Sequence, residues 1–162
     1  MEGRIEGFEP VARSDARILI LGSMPSVESL RQGFYYAHPR NVFWRILAIT
    51  FQTQIPETVE SKKALLAEHK IALWDTAHSC LREGSLDSNI RQAVANDFPA
   101  LYRRCSEIQK ILFNGATAEN LYRKLVGEPP CASVRMPSTS PALTMPFERK
   151  CAIWRENLEE LL

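Results

Sequence analysis

The side chains able to do chemistry in this chain sit in four short clusters: Gly22-Ser23-Met24-Pro25-Ser26, Asp75 to Ser79 (DTAHS), Asn114-Gly115 and Ser138-Thr139-Ser140. A further run, YYAHPRN from Tyr35 to Asn41, adds aromatics, a histidine and an amide. Several familiar chemistries are excluded by what these clusters lack. The Gly22 cluster has neither the lysine and spaced glycines of GxxxxGK[ST] nor the GxGxxG fingerprint, which disfavours nucleoside triphosphates and dinucleotides. Ser23 lacks the second glycine of a G-x-S-x-G elbow, and His38, His69 and His78 stand in no triad order, so a serine or cysteine hydrolase is disfavoured too. Cys80, Cys105, Cys131 and Cys151 show no CxxC or CxxH spacing and read as free thiols, not as zinc or iron–sulfur ligands. No zinc or iron–sulfur site is expected of them.

What remains is recognition of a flat molecule by stacking and hydrogen bonding. Tyr35, Tyr36, Phe43 and Trp44 surround His38 and Asn41 in sequence; helical spacing assigns Phe43 or Trp44 to the core. Of two consecutive tyrosines in a Gly/Pro loop, at least one is expected to face a ligand, for which a nucleobase is a natural guest. The Gly22–Ser26 segment is either a tight strand-to-helix turn or a set of backbone N–H groups for an anion or exocyclic oxygen. Asp75 and Asp87 are the nearest pair of candidate carboxylates, and Asp87 is placed as a helix cap.

The elements that must position these clusters alternate between short apolar runs and longer helical patterns, the mark of an α/β domain with a mainly parallel sheet. RILILG (17–22), IALWD (71–75), QKILFNG (109–115) and CASVRMP (131–137) read as strands. Helices are expected over NVFWRILAIT (41–50), SKKALLAEHK, SLDSNIRQAVAND with Asp87 or Ser88 as N-cap, TAENLYRKLVG, and the segment from about Pro146 onward. In that last helix Phe147, Cys151, Trp154, Leu158 and Leu161 form one apolar stripe, which is core packing. Each strand thus delivers a polar cluster at its C-terminal end, where open parallel sheets hold their ligands. The 162 residues suit a single domain spanning 1–162, and 45% apolar with 24% charged residues argues against disorder. No apolar run approaches the ~20 residues of a membrane span, and the charged MEGRIEGFEP start is unlike a signal peptide. A soluble cytoplasmic protein with no membrane partner is the expectation. The net charge of +1 does not locate a nucleic-acid surface.

Together GSMPS, GFYYAHPRNVFW, LWD, SLDSNI, FNG and MPSTSPA resemble the uracil-DNA glycosylase superfamily, and within it the hypoxanthine-DNA (deoxyinosine) glycosylase branch, family 6. The resemblance runs from about Arg17 to the last helix. It implies a three-layer α/β/α domain around a four-stranded parallel sheet, and a cofactor-free, monomeric enzyme that excises a deaminated base from DNA. Met24 stands where the mismatch-specific relatives, with GINPG, keep a water-placing asparagine; the aspartate-tyrosine pair of family 1 is also missing.

In the branch resembled, the asparagine of the HPxNxFW element, here Asn41, is the catalytic residue. A neutral amide can orient water for attack on the sugar but is too weak a base to deprotonate it early, which favours a dissociative transition state. The competing reading of Asn41 is a plain helix cap. The resemblance also implies Tyr36 as the platform under the flipped base, Asp75 and the Ser23 and Met24 turn as base readers, and Ser26 as a DNA contact. Asp75 as an ordinary turn cap stays open beside this. Ser138, Thr139 and Ser140 are the implied phosphate contacts, with Leu143 as a wedge into the duplex. Three functions follow for testing: excision of hypoxanthine, excision of uracil or another deaminated base, and binding of damaged DNA without catalysis.

Overall fold

The computed structural model describes residues 3–162. Its centre is a four-stranded parallel sheet in the order β3-β2-β6-β7, formed by β2 (Ile18–Gly22), β3 (Ile71–Asp75), β6 (Lys110–Asn114) and β7 (Ala132–Met136). The two central strands are buried on both faces: Ile18 to Leu21 and Ile111 to Phe113 are wholly inaccessible. That is why they read as unbroken hydrocarbon and not as alternation.

Helices cover both faces, as expected of three layers. On one side α2 (Phe43–Thr50) meets α6 (Phe147–Leu158) through Phe43 and Trp154, ring centroids 6.0 Å apart. On the other, Phe98 of α4 (Phe98–Arg104) and Tyr122 of α5 (Ala116–Leu125) meet at 5.1 Å, against Trp74 and Phe113 of the sheet. Two more helices, α1 (Val27–Gln32) and α3 (Val59–Glu68), complete the set. Thr58 caps α3 with its side chain on Ser61, a reciprocal capping box.

A second, three-stranded antiparallel sheet was not foreseen: β1 (Arg4–Glu6), β4 (Ala77–Leu81) and β5 (Arg91–Ala95), in the order β1-β4-β5. It overturns the helix expected over SLDSNIRQAVAND. That segment forms one 3-10 turn at Asp87–Asn89 and then β5, whose backbone pairs with β4 at Ala77↔Ala95, Ser79↔Val94 and Leu81↔Arg91. The physical reason is that a partner strand satisfies the backbone of β5, while its side chains, largely solvent-facing, offer no apolar face to anchor a helix. Asp97, expected near the end of that helix, instead caps α4 by accepting from the Ala100 N–H, with Pro99 in the first turn.

Candidate active site

The register of the parallel sheet brings the clusters together. Gly22 pairs with Asp75, Leu21 with Phe113, and Asn114 with Met136, so the strands end side by side. Gly22 is there because nothing larger fits: a Cβ would overlap the Asp75 Oδ1 and lie 3.1 Å from the Tyr36 hydroxyl. Tyr36 is held at φ 55°, the left-handed region that non-glycine residues rarely occupy. Its ring packs on Phe43, centroids 4.3 Å apart. Its neighbour Tyr35 is a core residue, donating its hydroxyl to the Glu9 carbonyl at 2.8 Å. The tyrosine pair is therefore divided, one for the core and one for the cleft.

Two polar atoms at this point have no protein partner although they are buried, the Tyr36 hydroxyl and the Asp75 Oδ2. Unpaired buried polar groups are costly and rare, which sets this phenol and carboxyl apart from the other buried polar groups of the strand ends. Asp75 is 3% exposed; burial, and secondarily the charge of Asp87, pushes its carboxyl up to about 7, with Arg82 opposing. Burial and then Asp75 also push the Tyr36 phenol above its ordinary range, with the Asn114 side chain opposing. The turn-cap reading of Asp75 loses its basis, since the following amides of Thr76 and Ala77 donate to the carbonyls of Gly22 and Ser23.

Ser23 donates its hydroxyl to Asp87 Oδ1 at 2.7 Å. Asp87 is thus no helix cap; it is tied to the turn that follows β2. Partial desolvation raises its pKa, against the Ser23 hydrogen bond and Arg82. Arg82 is the shared countercharge and a strut: Nη2 donates to the Pro25 carbonyl at 2.6 Å and Nε to that of Gly84 at 2.7 Å. The Met24 side chain turns away into a small cluster with Ala77 and Cys80, so only its backbone can meet a ligand. The Ser26 hydroxyl accepts from the Ser29 N–H at 3.1 Å and caps α1.

Asn41 precedes α2, and its Oδ1 accepts from the Phe43 N–H at 3.0 Å. The amide oxygen does serve the helix start, as one reading required, yet a carbonyl oxygen has a second lone pair that can take a water. The Val42 N–H donates to the Thr139 carbonyl at 3.1 Å, tying the start of α2 to the loop after β7.

That loop is gripped from within. Asn114 clamps Thr139 twice, accepting from its N–H at 2.9 Å and donating to its hydroxyl at 3.0 Å. Thr139 is 1% exposed, and this corrects its assignment as a phosphate contact: its N–H and carbonyl are bonded inside the protein and its hydroxyl is buried against Asn114. Ser138 and Ser140 remain partly accessible, with Ser138 Oγ accepting from the Ser140 N–H. Gly115, at φ 100°, leaves room for the Ser138 side chain, whose Cβ would be 3.2 Å from any Cβ at 115. Leu143, on the same loop, is 37% exposed.

Sequence reasoning placed Asn114 at the strand ends but missed its clamp on Thr139, and it missed Arg82, Asp87 as the partner of Ser23, and Lys150. Lys150 did leave a signal: a lysine beside Cys151 and four residues before Trp154 lies on the apolar face of α6. His78, by contrast, is exposed and lines a groove of about 460 Å³ with Phe8, Trp74, Asp97 and Arg104, a groove to which Gly22, Tyr36, Asn41 and Asp75 do not contribute.

Residues 9–162 match the sequence profile of the Uracil DNA glycosylase superfamily. Two curated relatives are named hypoxanthine DNA glycosylase. One, from Methanosarcina acetivorans, is 39% identical over 113 residues, covering 69% of this chain and 72% of the relative. The other, from Methanosarcina barkeri, is 36% identical over 111 residues, covering 68% and 70%. A solution NMR structure of a Methanosarcina acetivorans protein provisionally assigned as a uracil DNA glycosylase superposes with a TM-score of 0.85 at 33% identity, covering 98% of both chains.

Proposed function

The chain belongs to the uracil DNA glycosylase superfamily, and we propose that it excises hypoxanthine, deaminated adenine, from DNA by hydrolysing the N-glycosidic bond. The observation that carries this reading is the buried, unpartnered pair of Tyr36 Oη and Asp75 Oδ2. Hypoxanthine presents N1–H beside the C6 carbonyl; an ionised Asp75 accepts from N1–H, and the Tyr36 hydroxyl donates to a ring acceptor. Adenine presents a lone pair at N1, which an ionised Asp75 repels. The backbone of Ser23 and Met24 faces O6 at the end of β2.

Cleavage builds positive charge on the sugar and negative charge on the departing base. Asn41 orients the attacking water through its second lone pair, the first being fixed by Phe43, so the amide is preset before the substrate enters. The leaving base gains from the Tyr36 hydroxyl and from backbone N–H groups. Ser138 and Ser140 supply DNA contacts, whereas the Ser26 hydroxyl, expected to join them, accepts from the Ser29 N–H and donates to the Ser29 hydroxyl and so has no proton left for a phosphate. Leu143 fills the gap left by the flipped nucleotide. The partner is DNA carrying a deaminated base, met by a monomer in the cytoplasm.

Uracil is the second reading, because its N3–H beside a carbonyl offers Asp75 the same pattern. Oligonucleotides carrying inosine, uracil, xanthine or ethenoadenine, incubated with the protein and cleaved with alkali, separate the readings. Strand scission at inosine is expected. Scission at uracil alone would transfer the function to uracil, and binding without scission would make the chain a damage-binding module.

A further inference from the structure

Lys150 is a buried cation that the proposed reaction does not use. It is 4% exposed, in the first turn of α6, and its ammonium donates to two carbonyls of the loop after β7: Ser140 at 3.0 Å and Leu143 at 2.8 Å. Those carbonyls are the two ends of one turn, closed by the Leu143 N–H donating to the Ser140 carbonyl at 3.2 Å. One turn further along the same face of α6, Trp154 Nε1 donates to the Pro137 carbonyl at 2.9 Å. Between these points Asn114 holds Thr139.

Burying an ammonium costs several kcal/mol unless it is well paired. No carboxylate is paired with Lys150 among the described residues, and its partners are loop carbonyls. Burial accordingly lowers its pKa. A surface loop needs no such cation to be stable, since water satisfies exposed carbonyls. The arrangement makes sense if the loop must keep its shape under load. Leu143, the residue whose carbonyl the ammonium holds, is also the one with an exposed apolar side chain.

We propose that Lys150 is a positioning residue: its ammonium latches the Ser140–Leu143 turn to α6 so that Leu143 is presented, already ordered, to a DNA duplex. The proposal rests on the glycosylase reading and adds a residue to it. A preset wedge avoids ordering the loop during base flipping, a cost that arises with duplex substrate and hardly at all with single-stranded DNA, whose base is already unstacked.

The test uses the full chain with Lys150→Met, which keeps the aliphatic length and removes the donors. Hydrogen exchange in the free protein is expected to speed up about tenfold at the Ala142 and Leu143 amides. Single-turnover excision of inosine is expected to fall about tenfold to a hundredfold on duplex DNA while staying within about twofold on single-stranded DNA. Leu143→Ala should give the same duplex-selective loss, and adding Lys150→Met to it should cost little more. Lys150→Arg, which keeps the charge and donors, should recover part of the duplex rate, and it decides the matter if the methionine variant does not fold. Unchanged exchange, or an equal loss on both substrates, overturns the proposal. Failure of the wild type to excise inosine from either substrate would instead sink the hypoxanthine reading, leaving the latch to be judged by exchange alone.

Discussion

Gly22 and Asp75 face each other across β2 and β3 so closely that position 22 has no room for a Cβ beside the Asp75 carboxylate. The same missing methyl keeps clear the Tyr36 hydroxyl, which would stand 3.1 Å from it. Gly22→Ala must therefore displace Asp75, the buried Tyr36 hydroxyl or the buried end of β2. Excision is expected to fall at least about a hundredfold, from misplacement of the recognition edge. Stability should fall by about 1–3 kcal/mol, the usual cost of an added group in a packed site. Single-turnover kinetics with inosine DNA and chemical denaturation check the two together; an alanine variant with wild-type excision would remove Gly22 and Asp75 from the site.

Asp75 should make both stability and binding depend on pH near neutrality. Its carboxyl rises from 3.8 to about 7 on folding, mainly through burial. The folded chain therefore holds a proton that the unfolded chain has lost between those values, and stability declines as pH rises from about 4 to about 7, then levels off. The full swing is at most about 4 kcal/mol. Asp75→Asn should flatten this slope and be the more stable chain at pH 8. Inosine DNA should bind more tightly as pH rises through about 7, because the ionised form accepts from N1–H, and the asparagine variant should lack that inflection. Binding measured in an Asn41→Ala background, free of turnover, reads this directly.

The parallel sheet was legible because its strands hold continuous apolar runs closed by a glycine or a polar residue, as in RILILG, IALWD and KILFN. The antiparallel sheet was not, because RIE, AHSCL and RQAVA are short and carry no sustained alternation; backbone pairing makes them strands. The convergence of Gly22, Asp75 and Asn114 followed from topology alone. Lys150 and the Asn114 clamp escaped because their partners are atoms of an irregular loop, largely backbone, and sequence gives no sign of where a loop's carbonyls will point. Asp87 read as a cap for a local reason, its place before a polar segment, whereas its hydroxyl partner Ser23 is 64 residues away.

Asn41 has two duties that substitution can separate. Its Oδ1 caps the Phe43 N–H, and the same oxygen is proposed to orient water. Asn41→Ala removes both and should cost about 1 kcal/mol of stability. Excision should fall about 10²–10³-fold, the scale of losing one preorganised hydrogen-bonding group. Asn41→Asp caps equally well and still presents an oxygen to water, so its stability should stay within about 0.5 kcal/mol while part of the rate survives. Wild-type excision by the alanine variant would reduce Asn41 to a cap.

Asn114 should matter to stability more than any exposed loop residue, because both ends of its amide are bonded to buried Thr139. Asn114→Ala strands the Thr139 N–H in a site 1% exposed, and an unpaired buried donor costs about 1–3 kcal/mol. The neighbouring Val42 contact to the Thr139 carbonyl would loosen with it, so the start of α2 should also lose protection from hydrogen exchange. Asn114→Asp should be milder: its carboxylate still accepts from the N–H, and the Thr139 hydroxyl can turn to donate to the other oxygen. Thr139→Val removes only the hydroxyl and should cost about 1 kcal/mol. Combining Asn114→Ala with Thr139→Val in a denaturation cycle should give a coupling of at least about 0.5 kcal/mol. Strict additivity would mean that the hydroxyl half of the clamp does not hold the loop.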